Sequence, residues 1–88
     1  MEKKLKAILV DDELHCLETL RFDLERFCSD EINIVGEAQN LVKATALLIA
    51  EKPDILFLDI DFPGMNGLEF LETIGDIDVK VVFTTAHS

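Results

Sequence analysis

Basic residues are scarce in this chain: 8 Lys and Arg stand against 18 Asp and Glu, for a formal net charge of −10. That imbalance argues against electrostatic binding of nucleic acid or of an anionic membrane by these residues themselves. Long apolar runs are missing too; none approaches the roughly 18 residues that a membrane span needs. Met1-Glu2-Lys3-Lys4 leads into a strand pattern rather than a signal peptide, so a cytoplasmic location is expected. There are only two cysteines, Cys16 and Cys28, and no CxxC spacing. On one predicted helix they stand about 18 Å apart in rise, which excludes a bridge within it and leaves two reduced thiols. The signatures GxxxxGK and GxGxxG are absent, so nucleotide binding has no support. Repeats, linkers and low-complexity tracts are also missing.

What is present is a folded pattern. The 88 residues are 49% hydrophobic, enough for one small domain and too apolar for a disordered segment. Leu5–Val10 and Ile55–Leu58 are short apolar runs of the kind buried in a parallel sheet. Between them, Leu14, Leu17, Leu20, Leu24 and Phe27 form a helical stripe, closed by Ser29-Asp30-Glu31. Glu18, Arg21, Asp23, Glu25 and Arg26 read as a solvated surface of that helix. Ile32–Ala38 alternates in part and reads as a second strand. Asn40 suits the N-cap of a second helix with Leu41, Ala44, Leu47 and Leu48 inward, ended by Pro53. Asn66 and Glu69 resemble a capping box for a third helix, with Leu68, Leu71 and Ile74 inward and Gly75 at its end. Val79–Thr85 reads as a fourth strand. The order β-α-β-α-β-α-β implies a parallel, right-handed α/β sheet.

Acidic residues follow the first and third strands: Asp11, Asp12 and Glu13 after one, Asp59 and Asp61 after the other. Open α/β sheets bind ligands beyond the carboxyl ends of their strands, where strand order reverses. Carboxylates gathered there repel one another unless something neutralises them. Mg²⁺ suits the place, because it takes oxygen ligands and keeps waters for a phosphate partner.

Three segments carry a family resemblance. Val10-Asp11-Asp12-Glu13, Leu58-Asp59-Ile60-Asp61-Phe62-Pro63-Gly64-Met65-Asn66-Gly67 and Thr84-Thr85-Ala86 resemble the receiver domain of bacterial response regulators over essentially all of residues 1–88. Phe83-Thr84-Thr85-Ala86-His87 is most similar to receivers that precede LytTR-type DNA-binding domains. The resemblance implies a CheY-like (flavodoxin-like) three-layer α/β fold, of which this chain is the N-terminal part, ending after the fourth strand. It implies a signalling phosphoacceptor rather than an enzyme. Asp59 would take a phosphoryl group from a sensor histidine kinase, with Mg²⁺ held by Asp11, Asp12, Asp59 and the backbone carbonyl of Asp61. Thr85 would give its hydroxyl to a phosphoryl oxygen, with Ala86 leaving room. Pro63 and Gly64 would shape the loop, and Thr84 would be structural. DNA would be reached only through an effector domain outside these residues. The lysine and the aromatic residue that the family places around a fifth strand have no counterpart here; Lys80 lies within the fourth strand. The bare edge of that strand suggests completion by a homodimeric or domain-swapped partner chain.

Other readings compete for the same residues. Asp11 and Asp12 could simply complement a helix dipole, and Asp59 could be a turn residue. A receiver-like dimerisation module without phosphorylation would keep the fold. Phe57-Leu58-Asp59-Ile60-Asp61 also resembles the haloacid dehalogenase-type phosphatases, but Pro63 stands where that family has Thr or Ser. An EF-hand fails on Pro63 and Phe70 at ligand positions. His15 and His87 lack metal-ligand spacing and read as surface residues.

Overall fold

The computed structural model describes residues 4–60, 67–75 and 77–84, with the side chains at 67 and 68 outside that description. Seven elements alternate along the chain: β1 (Leu5–Val10), α1 (Leu14–Phe27), β2 (Ile32–Ala38), α2 (Leu41–Glu51), β3 (Ile55–Asp59), α3 (Gly67–Ile74) and β4 (Lys80–Thr84). All pairings are parallel, in the order β2-β1-β3-β4. The chain steps from β1 to β2 on one side, then crosses to β3 on the other. The order therefore reverses between β1 and β3, and both strands point their carboxyl ends at that switch point.

Strand periodicity divides the core. In β1, Ile8 and Val10 face α2 and α3, where they join Leu56, Leu58, Ala44, Leu48, Phe70 and Ile74. Leu9 faces the other way, onto Leu17 and Leu24 of α1, with Phe57, Ile32 and Ile34 packed beside them. The result is three layers: α1, the sheet, and the α2–α3 pair.

β2 departs from simple alternation. Ala7 is aligned with Ile34 but Ile8 with Gly36, so Val35 is an extra residue and the register shifts there. A bulge of this kind reverses the facing of everything after it. Ile32 and Ile34 thus face α1, whereas Gly36 and Ala38, of the same parity, turn toward α2. Glu37 in turn comes to α1's side, where its Oε2 lies 2.6 Å from Nη1 of Arg21. Arg21 therefore ties α1 to β2 while its side chain stays 42% exposed on the helix surface. Gly36 leaves room for Leu47: a Cβ there would stand 2.9 Å from both of its terminal carbons, and the leucine would have to shift.

Helix ends follow local chemistry. The Asn40 side chain accepts from the Lys43 N–H at 2.8 Å, capping α2 as expected. Lys52, in the left-handed region at φ 48°, ends α2 ahead of Pro53. Gly75 (φ 51°) takes the same conformation after α3. Asn66 lies outside the described residues.

Three expectations need correction. Leu14 and Phe27 are 55% and 70% exposed, because a stripe built in steps of three drifts off the buried line defined by Leu17 and Leu24. The Arg26 guanidinium sits 5.2 Å from the Phe27 ring instead. Among the described side chains of α3, Phe70 and Ile74, one turn apart, are buried, with Leu71 partly buried beside them. Cys28 is the cap residue that follows α1, not a member of it.

The fit at the bulge predicts that Gly36→Ala costs at most about 1 kcal/mol of stability, because the end of the half-buried Leu47 side chain must turn aside. In a Leu47→Ala background the added cost should largely vanish, as read from urea unfolding; equal costs in both backgrounds would show that Leu47 is not the obstacle.

Candidate metal centre

Each acidic residue owes its position to a strand end. Val10 closes β1 as a fully buried core residue, so Asp11 emerges from the sheet at its carboxyl edge. The Asp11 N–H donates to the carbonyl of Ala38 at 3.1 Å, which extends the β1–β2 ladder one step beyond the strand. Asp59 is the last residue of β3, one position longer than the apolar run alone suggests. Its alignment with Thr84, and the bond from the Ile60 N–H to the Thr84 carbonyl at 2.8 Å, hold that end of β3 against β4. Thr84 thus has a structural role through its backbone.

One carboxylate oxygen from each of Asp11, Asp12 and Asp59 lies within 4.8 Å of the other two. Asp11 and Asp59 are only 5% and 2% exposed, whereas Asp12 is the more open of the three. Asp11 Oδ1 accepts from the Glu13 N–H at 2.9 Å. Glu13 is the N-cap of α1 and makes no side-chain cap bond. Complementing the helix dipole therefore does not explain the cluster: Asp11 and Asp12 precede the helix and turn toward Asp59. Across the gap, Gln39 Nε2 donates to the Asp12 carbonyl at 3.2 Å. Gln39 was not among the residues expected from sequence, although its place directly after a strand that ends beside Asp11 is a usable signal.

The arrangement is electrostatically costly. Two unit charges about 4 Å apart repel by about 4 kcal/mol at an effective dielectric near 20. That is a large share of the about 5–15 kcal/mol that holds a typical domain together. Burial, foremost, and then the charges of Asp59, Asp12 and Glu13 raise the Asp11 pKa, only partly offset by the Glu13 N–H bond. Burial followed by the same carboxylates pushes the Cys16 thiol up as well, which keeps it protonated and unreactive. Neither cysteine is in a disulfide.

This donor set fits Mg²⁺. The ligands are hard oxygens, and three of them leave the rest of an octahedron for water and a phosphoryl oxygen. Metal–oxygen distances of about 2.1 Å place octahedral ligands about 3–4 Å apart, so the carboxylates need close in only slightly. Asp61, Thr85, Ala86, Pro63, Gly64 and His87 lie outside the described residues. His15 is exposed, as expected of a surface residue.

A family model described as the response regulator receiver domain matches residues 7–88. Transcriptional regulatory protein BtsR of Salmonella typhi is 41% identical over 86 residues, covering 93% of this chain and 34% of that protein. Sensory transduction protein LytT of Bacillus anthracis is 38% identical over 85 residues, again 34% of its length. The chain thus spans about a third of these relatives. Among solved structures, a two-component response regulator of the LuxR family from Aurantimonas superposes with a TM-score of 0.81 at 28% identity, over 98% of this chain and 61% of that one. CheY in a CheX-CheY-BeF3-Mg complex from Borrelia burgdorferi gives 0.73 at 26% identity, over 94% and 63%.

The raised Asp11 pKa has a definite sign for stability. The folded state holds this proton more tightly than the unfolded chain, so the contribution is complete below the ordinary value of 3.8 and is lost as pH rises through the folded value. At neutral pH the ionised group opposes folding. Asp11→Asn keeps the Oδ1 acceptor and removes the charge. In EDTA at neutral pH it should melt above the parent, and millimolar Mg²⁺ should raise the parent while leaving the variant nearly unmoved. A variant that melts below the parent in EDTA would contradict this.

Proposed function

This chain belongs to the response regulator receiver family, and we propose that it accepts a phosphoryl group on Asp59 from a phosphohistidine of a sensor histidine kinase, in a Mg²⁺-dependent reaction. The family is a signalling one whose receivers interact with sensor histidine kinases. The fold is CheY-like, and the resemblance to receivers of LytTR-type regulators accords with the relatives BtsR and LytT. The observation that carries the reading is the convergence of Asp11, Asp12 and Asp59 at the switch point of the sheet.

In the proposed step an oxygen of the Asp59 carboxylate attacks the phosphorus of the phosphohistidine. An O–P bond forms and the P–N bond breaks, its electron pair passing to the imidazole nitrogen of the donor. Asp11, Asp12, Asp59 and the Asp61 carbonyl would hold the Mg²⁺, which when bound offsets charge gathering on the phosphoryl oxygens. The chain's own contribution is position. Asp59 sits on a rigid strand end 2% exposed to solvent, which fixes the nucleophile and limits competing water. Thr85 would donate its hydroxyl to a phosphoryl oxygen once transfer is complete. No other turnover is proposed beyond loss of that phosphoryl group to water.

The output is proposed to be a population shift between two surfaces that governs self-association, and DNA binding through an effector domain beyond these residues. Among the described residues no helix is long and apolar enough to cross a membrane, and we place the reaction in the cytoplasm.

Acetyl phosphate with Mg²⁺ should add one phosphoryl group to the chain by intact mass, and Asp59→Ala should abolish the gain. Asp12→Asn should slow it by at least about tenfold, since even outer-shell partners of a metal site are worth that much. Labelling that survives Asp59→Ala, or that ignores EDTA, would reject the assignment; hydrolytic turnover of a phosphate ester retained by that variant would point to a different enzyme that does not use Asp59.

A further inference from the structure

We infer that Gln39 is a positioning residue for the metal centre: its side-chain amide holds the Asp12 peptide so that the Asp12 carboxylate stays turned toward Asp11 and Asp59. The inference rests on the proposed reading of those carboxylates as a cation site.

Asp12 is the member of the cluster with least support of its own. Asp11 and Asp59 are buried and continue the sheet ladders, through Ala38 and Thr84. Asp12 lies past the ladder, in the short bend that leads to the helix cap at Glu13. Repulsion from its two neighbours acts to swing it into solvent. A contact on the Asp12 peptide opposes that swing, and Gln39 Nε2 supplies one at 3.2 Å from the carbonyl oxygen. The donated proton polarises that peptide and opposes its rotation.

Gln39 works from a fixed base. The residue before it, Ala38, accepts the Asp11 N–H at 3.1 Å. The residue after it, Asn40, caps α2 by accepting the Lys43 N–H at 2.8 Å. Glu37, one step further back, ties to Arg21 at 2.6 Å. Four consecutive residues, Glu37 to Asn40, are therefore each bonded, and three of the bonds reach the β1–α1 segment. The Val35 bulge makes this possible, because it turns Glu37 toward α1 and sets Ala38 opposite Val10, where its carbonyl accepts the Asp11 N–H. The end of β2 is a clamp on the acidic loop, and Gln39 is its outermost jaw. A donor on a rigid support gives a site its precision.

The test uses the ion alone. Gln39→Met keeps the length of the side chain and removes the donor. Mg²⁺ binding, followed by calorimetry and by amide chemical shifts, should weaken by about three- to tenfold, the size expected for one net hydrogen bond behind a metal ligand. The melting temperature in EDTA should stay within error of the parent, because the bond is exposed and a single exposed hydrogen bond adds little net stability. Unchanged Mg²⁺ affinity in Gln39→Met, with the parent binding normally, would overturn the positioning role and leave the cation site standing. A matching fall of melting temperature in EDTA would assign Gln39 to the fold instead. A parent chain that binds no Mg²⁺ would overturn the reading of the site and this inference with it.

Discussion

Mutual repulsion among Asp11, Asp12 and Asp59 is the force against which the rest of this structure is built. One oxygen of each comes within 4.8 Å of the others, and two of the residues are almost wholly shielded from water. No local preference of the chain would assemble such a group. It exists because β1 and β3 lie side by side in parallel and in register, Val10 against Leu58, so their next residues emerge at the same edge. The apolar surface buried on both faces of these two strands supplies the opposing free energy.

The opposite edge of the sheet shows how differently an acid can be handled. Asp54 precedes β3 at its amino end, where its Oδ2 accepts from the Lys6 N–H at 2.8 Å and its carbonyl from the Lys80 N–H at 3.0 Å. That acid is a staple across three strands. At the carboxyl edge the acids face one another, with the Glu13 N–H donating to Asp11 and the start of α1 close by. A cluster maintained at such a cost, in a chain already at −10, is intelligible when a cation is its partner.

Much of this was legible in the sequence. The bounds of β1 and β2, the Asn40 cap and the left-handed Gly75 follow from residue type and spacing alone. The meeting of the two acidic segments followed from strand order. What escaped did so for identifiable reasons. The partial alternation of Ile32–Ala38 conceals a bulge, and only the register shows that Val35 is the extra residue. Arg21 reads in sequence as one of a set of charges on the helix surface, whereas its partner Glu37 is sixteen residues away and reaches it only after the bulge. Phe70 was missed because a stripe chosen from leucines and isoleucine passed over an aromatic that α3 buries to 2% exposure.

The central claim is that one divalent ion sits among these carboxylates and nowhere else on an acidic surface. Manganese substituted for magnesium makes the claim visible by nuclear magnetic resonance, since the paramagnetic ion broadens amide signals steeply with proximity. At substoichiometric Mn²⁺ the signals of Asp11, Asp12, Glu13, Asp59 and Ile60 should vanish first, while those of Asp54 and Lys6 at the far edge remain sharp. Broadening spread evenly over the acidic outer faces of the helices, or centred away from Asp59, would contradict the account.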